Sequence, residues 1–334
     1  MPARTRNLLD GRAGRAFAVC LLPAFWFGLQ GLSAGAADYP PAQPVRIAFY
    51  NTENYFAPAD LETKGTDSRR ALVEILTRAA PDIVLMSEVG GAEALAEIAA
   101  KLGARGLDYP FSSLVRGGDE VRHLAVLARF PPERVAHDTT SAYNIRNQAE
   151  PVRRGFAYCV FRWDNGYTLH VIGAHLKSKM WNRLGQTDMR RYESRLLRYL
   201  VNDLLAADPE ANILVAGDLN DYPNSSPLNT LFARRRRPQA QLYDLRPVDA
   251  TGLAWTHWWE DTDLYSRIDY FLASYHLLPE IVFGEIYLDF SPEWRRASDH
   301  RLLMVTVNPR ERPIDETILN RFQRNFRRAD AKGE

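Results

Sequence analysis

Five apolar runs in this chain end at, or pass through, a side chain able to bind a cation or move a proton. They are VRIAFY before Asn51, DIVLMS before Glu88, HVIGA before His175, ILVAG before Asp218 with Asn220 two residues on, and Ile268-Asp269-Tyr270. A sixth element, Asp299-His300, immediately precedes RLLMVTV. Apolar strands fix positions, and polar groups at their ends can converge in one cleft. Carboxylate and amide oxygens are hard ligands that suit Mg²⁺ or Mn²⁺. A histidine oriented by a carboxylate can act as a general base. Cleaving a phosphodiester needs this combination: charge neutralisation, an activated water and help for the leaving oxygen. Asp269 lies inside an apolar run, where an unpaired carboxylate would be costly, so it needs a partner, and a histidine suits. Taken singly, Glu88 and Asn51 also read as caps or turn residues and His175 as a core histidine. Their conjunction is what points to a site.

The elements that must position these groups follow from pattern. Residues 45–50 alternate and are β-rich, predicting a strand. Residues 82–88, 123–128, 213–218, 268–273 and 301–307 read as further strands. YCVFRW (158–163) and YTLHVIGAH (167–175), joined by Asp164-Asn165-Gly166, predict a hairpin, because Asn-Gly supplies the positive φ a tight turn needs. Helical spacing predicts helices over 69–79, stopped by Pro81, over 92–102 and over 188–205. Several strands are joined as hairpins rather than through helices. That favours a mixed-sheet α/β or α+β body over a Rossmann fold. No glycine-rich fingerprint follows the first strand, and neither a Walker sequence nor a G-x-S-x-G elbow occurs.

The chain has 334 residues, 46% hydrophobic and 25% charged, enough to build a core without metal or disulfide staples. Its 42 basic and 41 acidic residues give no global argument for a polyanionic partner. The N-terminus has the form of an export signal. Arg4, Arg6, Arg12 and Arg15 flank an uncharged apolar stretch, 16–32, and small residues at Ala34, Ala36 and Ala37 precede Asp38. Pro23 and Gly28 interrupt the apolar stretch, which is short for a membrane span. Cleavage near Ala36 or Ala37 and export to the periplasm or beyond are expected. Removing residues 1–37 takes away four Arg and one Asp, leaving a net charge of −2. Cys20 leaves with them, so Cys159 would be alone, with no disulfide and no cysteine zinc site. It is expected to pack as a small hydrophobe. The organisation read from sequence is a signal (1–37), a proline-rich lead-in (38–44), a body (45–308) and a charged tail (309–334). A short amphipathic helix is expected in the tail around Ile318, Leu319, Phe322 and Phe326.

The order of the motifs resembles the endonuclease/exonuclease/phosphatase superfamily, which has the DNase I-like fold. The matching stretches are FYNTENYF (49–56), PDIVLMSEV (81–89), IGAHLKSK (172–179), LVAGDLND (214–221), RIDYFLAS (267–274) and ASDH (297–300). The resemblance covers about residues 45–307. It implies a four-layer sandwich of two packed mixed β-sheets flanked by helices, with Mg²⁺ or Mn²⁺ bound at one end of the sheets. It further implies Glu88 as the main metal carboxylate, with Asn51 and Asp299 nearby. His300 matches the catalytic histidine and Asp269 its orienting carboxylate. Asp218 and Asn220 match the pair that handles the phosphate and the attacking or leaving oxygen, and His175 matches a second histidine. The implied reaction is in-line hydrolysis, with the acid and base roles of the two histidines left open.

His175 stands where abasic-site repair enzymes usually carry a tyrosine, which argues against DNA repair, as does export. HLKSK resembles the corresponding stretch of secreted bacterial nucleases. On a strand, Lys177 and Lys179 would point to one side, where they could meet phosphates; the stretch reads equally as a solvated loop. Arg153 and Arg154 fall where the family often has an arginine near the phosphate. The four arginines 234–237 read as a solvated loop. The three Trp of 251–263 read as core, although such rings can also stack bases or enter a membrane interface. The favoured reading is an exported metal-dependent nuclease of low sequence specificity acting on DNA or RNA. The alternatives are a sphingomyelinase-like phospholipid phosphodiesterase, a phosphomonoesterase of phosphorylated small molecules, and, least favoured, a non-catalytic binding protein. No stable protein partner is inferred.

Overall fold

The computed structural model describes residues 39–56, 64–234, 236–320 and 322. The export segment and Phe326 lie outside them. In chain order the first elements are β1 (Val45–Tyr55), α1 (Thr66–Ala79), β2 (Ile83–Val89), α2 (Ala92–Gly103), β3 (Phe111–Val115) and β4 (His123–Ala128). Then come β5 (Arg134–Val135), β6 (Ala142–Ile145), β7 (Gln148–Pro151), β8 (Phe156–Arg162), β9 (Thr168–His175), α3 (Gln186–Ala207), β10 (Asn212–Asp218) and α4 (Ser226–Phe232). The last group is β11 (Leu242–Asp244), β12 (His257–Trp259), β13 (Leu264–Ser266), β14 (Asp269–Ser274), β15 (Tyr287–Leu288), α5 (Trp294–Ala297) and β16 (Leu303–Val307).

Two mixed sheets result, in the orders β15-β16-β1-β2-β4-β3 and β11-β14-β10-β9-β8-β5. Each is built around one parallel pair with a helix in the connection: β1–α1–β2 in the first and β9–α3–β10 in the second. The remaining pairings are antiparallel. Side chains alternate across each strand. Ile47 and Phe49 of β1 join the central core between the sheets, with Leu85, Val171, Leu214, Ala216 and Phe271. Ala48 and Tyr50 face the other way, against Leu72 and Leu76 of α1. In the second sheet Ile213 and Val215 pack against Leu197 and Val201 of α3. Both faces of the central strands are therefore buried, which is why they read as unbroken apolar runs. The result is the expected four-layer sandwich. Cys159 sits in the central core, and burial pushes its thiol up to about 12.

Several features depart from the sequence reading. β1 continues through Asn51 to Tyr55, by way of a register shift between those residues. Glu53 and Asn54 there take φ of 48° and 55°, so a bulge, rather than a strand end, carries Asn51. The β6–β7 ribbon turns at Arg146-Asn147, both at positive φ, without the glycine that would have marked it. β3, β5, β11 and β15 are too short, or too exposed, to show an apolar pattern. In 251–263, Trp258 is buried but Trp259 is half exposed. Arg236 and Arg237 are exposed, and Arg235 lies outside the described residues. Ile318 and Leu319 pack against the central core, where Phe322 is buried.

Glu280 is buried at the far end of the sandwich. It accepts a hydrogen bond from Tyr167 Oη (2.5 Å). Burial pushes its carboxyl from 4.5 up to about 8, with the Tyr167 bond opposing the rise. The fold therefore keeps a proton that the unfolded chain releases. That contribution to stability is whole below about pH 4.5 and lost as pH rises to about 8. Thermal unfolding should show a midpoint that falls between pH 5 and pH 8.5, and Glu280→Gln should flatten that fall. An identical fall in both proteins would contradict the assignment.

Candidate active site

Strand register assembles the second sheet's contribution. Asp218 on β10 pairs with His175 on β9 and with Asp269 on β14, so three functional groups stand in one row across three strands. Gly217 makes the close approach possible: a Cβ there would lie 2.2 Å from the Ala174 carbonyl oxygen. In the first sheet Asn51 pairs with Ser87, which places Glu88 beside it. Glu88 adopts φ 62° and Asn220 φ 53°, uncommon for residues with a Cβ. Ser298 ties the last loop to β1. Its hydroxyl donates to the Asn51 carbonyl (2.8 Å) and accepts from the His300 amide (3.0 Å).

One contiguous network joins these groups. His300 Nδ1 lies 2.9 Å from Asp269 Oδ2. Asn51 Nδ2 donates to Asp218 Oδ2 (3.0 Å) and lies 3.4 Å from Glu88 Oε1 and 3.3 Å from His300 Nε2. The Asn51 amide thus links the two sheets. His175 Nε2 lies 3.6 Å from Asp218 Oδ2 and 3.9 Å from Glu88 Oε1. The Asn220 amide N–H donates to Asp218 Oδ1 (2.9 Å), and its side chain donates to the Leu176 carbonyl (3.1 Å). Asp299 Oδ1 lies 3.8 Å from His300 Nε2. All eight residues singled out for metal binding or catalysis therefore belong to one network.

Electrostatics drives the two histidines apart. Burial pulls the His175 imidazole well below its usual range, and the charges of Arg154 and His300 add to this, so it is neutral. Burial also opposes charge on His300, but the Asp269, Asp299 and Asp218 carboxylates outweigh it and hold the imidazolium well above its usual range. Asp218 is pushed up to about 7, first by burial and then by Asp269, with His300 opposing. Opposite shifts in neighbouring groups are how one pocket supplies both a proton donor and an acceptor at neutral pH.

The donor set fits a divalent cation. His300 lies within 3.9 Å of Asp218, Asp269 and Asp299, His257 lies 3.6 Å from Asp299, and Arg122 lies 3.9 Å from Glu88 Oε2. Glu88 and Asp299, with the Asn51 amide oxygen, are the hard oxygen donors such an ion takes.

The basic residues are placed differently from the sequence expectation. β9 ends at His175, so Lys177 and Lys179 lie in a loop rather than alternating on a strand. The cause is local: the Leu176 amide donates to the Asp218 carbonyl, and the Lys177 amide donates to Glu193 Oε2 (2.6 Å), which turns the chain off the sheet. Lys177 Nζ donates to Ser178 Oγ, while Lys179 Nζ sits 3.3 Å from the centre of the Tyr222 ring. Arg154 is buried, with Nε 3.2 Å from Asp119 Oδ2 and, among the described residues, no hydrogen-bond partner for Nη1. Arg153 is half exposed, 3.9 Å from Glu150.

Sequence reasoning missed Glu193 and Arg122. Glu193 is buried on α3 and pushed up to about 7 by burial. A signal for it existed: Met189, Glu193, Leu197 and Val201 recur every fourth residue, which puts an acid on the apolar stripe. Arg122 Nε donates to Asn54 Oδ1 (2.7 Å), and nothing in its local pattern marks it.

Residues 49–300 match the Endonuclease/Exonuclease/phosphatase family, and the chain belongs to it. It is a metal-dependent phosphoric ester hydrolase, the class this fold and site define. No curated sequence matches the chain. Among solved structures it is similar to the catalytic domain of human Nocturnin, at 18% identity and a TM-score of 0.56, covering 80% of this chain and 96% of that one. Sphingomyelinase C from Streptomyces griseocarneus aligns at 18% identity and a TM-score of 0.54, covering 79% and 99%. A mannosyl-6-phosphatase from Bacteroides thetaiotaomicron aligns at 16% identity and a TM-score of 0.55, covering 79% and 99%. At these identities the likeness is one of fold.

Replacing Asp269 by Asn keeps its shape and removes the charge that holds His300 protonated. The rate of phosphodiester hydrolysis should fall by about 10²–10⁴-fold, with little change in the thermal unfolding midpoint. Retention of full activity would break the link between the pair and the chemistry.

Proposed function

We propose that this protein is an exported nuclease of low sequence specificity that hydrolyses DNA or RNA phosphodiester bonds with Mg²⁺ or Mn²⁺. The observation that carries the reading is the basic cluster beside the catalytic row. Burial lowers the Lys177 ammonium, and the nearby charges of Arg154, Arg153 and Arg190 lower it further, against the opposing effect of Glu193. A local concentration of cations, in a mature chain of net charge −2, suits an anionic polymer. Beside it Trp181 is 82% exposed and Tyr222 45% exposed, and such rings can stack on bases. Export is supported by the arginine-flanked apolar stretch and small residues of 1–37.

A divalent ion held by Glu88, Asn51 and Asp299 would neutralise charge on the phosphate. The chain's own residues do the rest. Asp218, poised near neutrality, accepts the proton of the attacking water. His300 presents a protonated Nε2 to the phosphoryl group, held in orientation by Asp269. Asn51 aligns the Asp218 carboxylate through its amide. Neutral His175 and Asn220 sit on either side of Asp218 to assist the leaving and non-bridging oxygens. Arg153, Lys177 and Lys179 would contact flanking phosphates, while Arg154, buried against Asp119, adds only its field.

Because Asp218 must be ionised to accept a proton, kcat/KM should rise with pH up to about 7 and then level off. A rate that falls across that interval would contradict the assignment. The substrate is tested by assaying the protein in parallel on plasmid DNA, RNA, sphingomyelin and a simple phosphodiester, with and without EDTA. Nicking of plasmid or cleavage of RNA, stopped by EDTA and restored by Mg²⁺ or Mn²⁺, is expected. Sphingomyelin hydrolysis without nucleic-acid cleavage would replace the nuclease reading with the phospholipid one.

A further inference from the structure

His257 lies on β12, outside the catalytic row, yet its ring lies tilted against His300, with centroids 4.6 Å apart and planes at 53°. A backbone bridge between His257 and His300 fixes that approach. Asp299 stands between the two imidazoles, with Oδ2 3.6 Å from His257 Nε2 and Oδ1 3.8 Å from His300 Nε2. These separations are too long for hydrogen bonds. They are near the spacing of two atoms that share one ion: ligands at 2.0–2.2 Å from a tetrahedral zinc lie roughly 3.4 Å apart. One ligand atom from each of the three residues falls within 4.8 Å of the others.

The second nitrogen of each ring is also committed. His300 Nδ1 faces Asp269 Oδ2 at 2.9 Å, and His257 Nδ1 faces Ser266 Oγ at 3.3 Å. Metal-binding histidines are usually held in this way, by a partner on the nitrogen away from the ion. Two imidazoles and one carboxylate differ from the oxygen set at Glu88 and Asn51. Nitrogen donors favour ions such as Zn²⁺, whereas Mg²⁺ takes oxygen and keeps its water.

We propose that His257, Asp299 and His300 form a site for a nitrogen-preferring divalent transition ion, and that filling it inhibits the enzyme. The ion takes the ring nitrogen Nε2 of His300 that otherwise faces the site. Asp299 Oδ1 and Asp218 Oδ2 lie 3.8 and 3.9 Å from Nε2 and face the ion, while Asp269 stays on Nδ1. With Nε2 occupied, His300 has no proton to present to a phosphoryl group, and Asp299 is withdrawn from the Glu88–Asn51 side. The inhibitory consequence rests on the hydrolytic mechanism above. The binding site does not.

The test therefore reads metal binding first. Zn²⁺ is titrated by calorimetry into the metal-free full chain and into His257→Phe, and Co²⁺ binding is followed by its visible absorption. Circular dichroism checks that the variant is folded, and His257→Asn replaces it if it is not. Zn²⁺ affinity is expected to fall by about tenfold or more in the variant, with a weakened Co²⁺ band. Phosphodiester hydrolysis in Mg²⁺ should be blocked by Zn²⁺ in the wild type and persist in the variant at the same concentration. Equal Zn²⁺ affinity in the two proteins would overturn the site. Tight binding that leaves Mg²⁺-supported turnover untouched would overturn the inhibition.

Discussion

A carboxylate in an apolar core is costly without a partner, and Asp269 finds one in His300. Its Oδ2 is 2.9 Å from Nδ1 of a ring that is itself buried. Asp299 and Asp218 deepen the same field, so the imidazole keeps its proton although burial opposes it. Around that pair the rest of the pocket takes its character. Asp218 is raised to about 7, first by its burial and then by Asp269. His175 is kept neutral first by burial and then by the charges of Arg154 and His300.

The fold's contribution is to bring two sheets to one point. Each sheet has a parallel pair with a helix in its connection, and the exits of both pairs supply the site. Within the second sheet, register alone aligns His175, Asp218 and Asp269. Between the sheets the Asn51 side chain does the joining. The bulge that follows Asn51 in β1 and the left-handed backbone at Glu88 are local distortions of otherwise regular strands. They cluster where the chemistry is, as strained backbone commonly does.

Much of this was legible in the sequence. Central strands buried on both faces leave continuous apolar runs, and a polar or charged residue that ends, interrupts or immediately precedes such a run stands out. Asn51, Glu88, His175, Asp218, Asp269 and His300 were found in that way, and the structure brings them together. Glu193 was hidden because its position on a helix mixes it with ordinary surface acids until the period of four is counted. His257 and Arg122 sit on short or irregular segments with no period to read. Lys177 and Lys179 stayed open between strand and loop, because nothing in HLKSK shows that Glu193 and the Asp218 carbonyl capture the backbone just after His175.

The opposed charge states of His175 and His300 are the centre of the account, and nitrogen-15 NMR of the imidazole side chains in the metal-free protein reads them directly. At pH 7.5 the account requires both ring nitrogens of His300 to carry protons and His175 to be neutral. A neutral His300 under those conditions would contradict it.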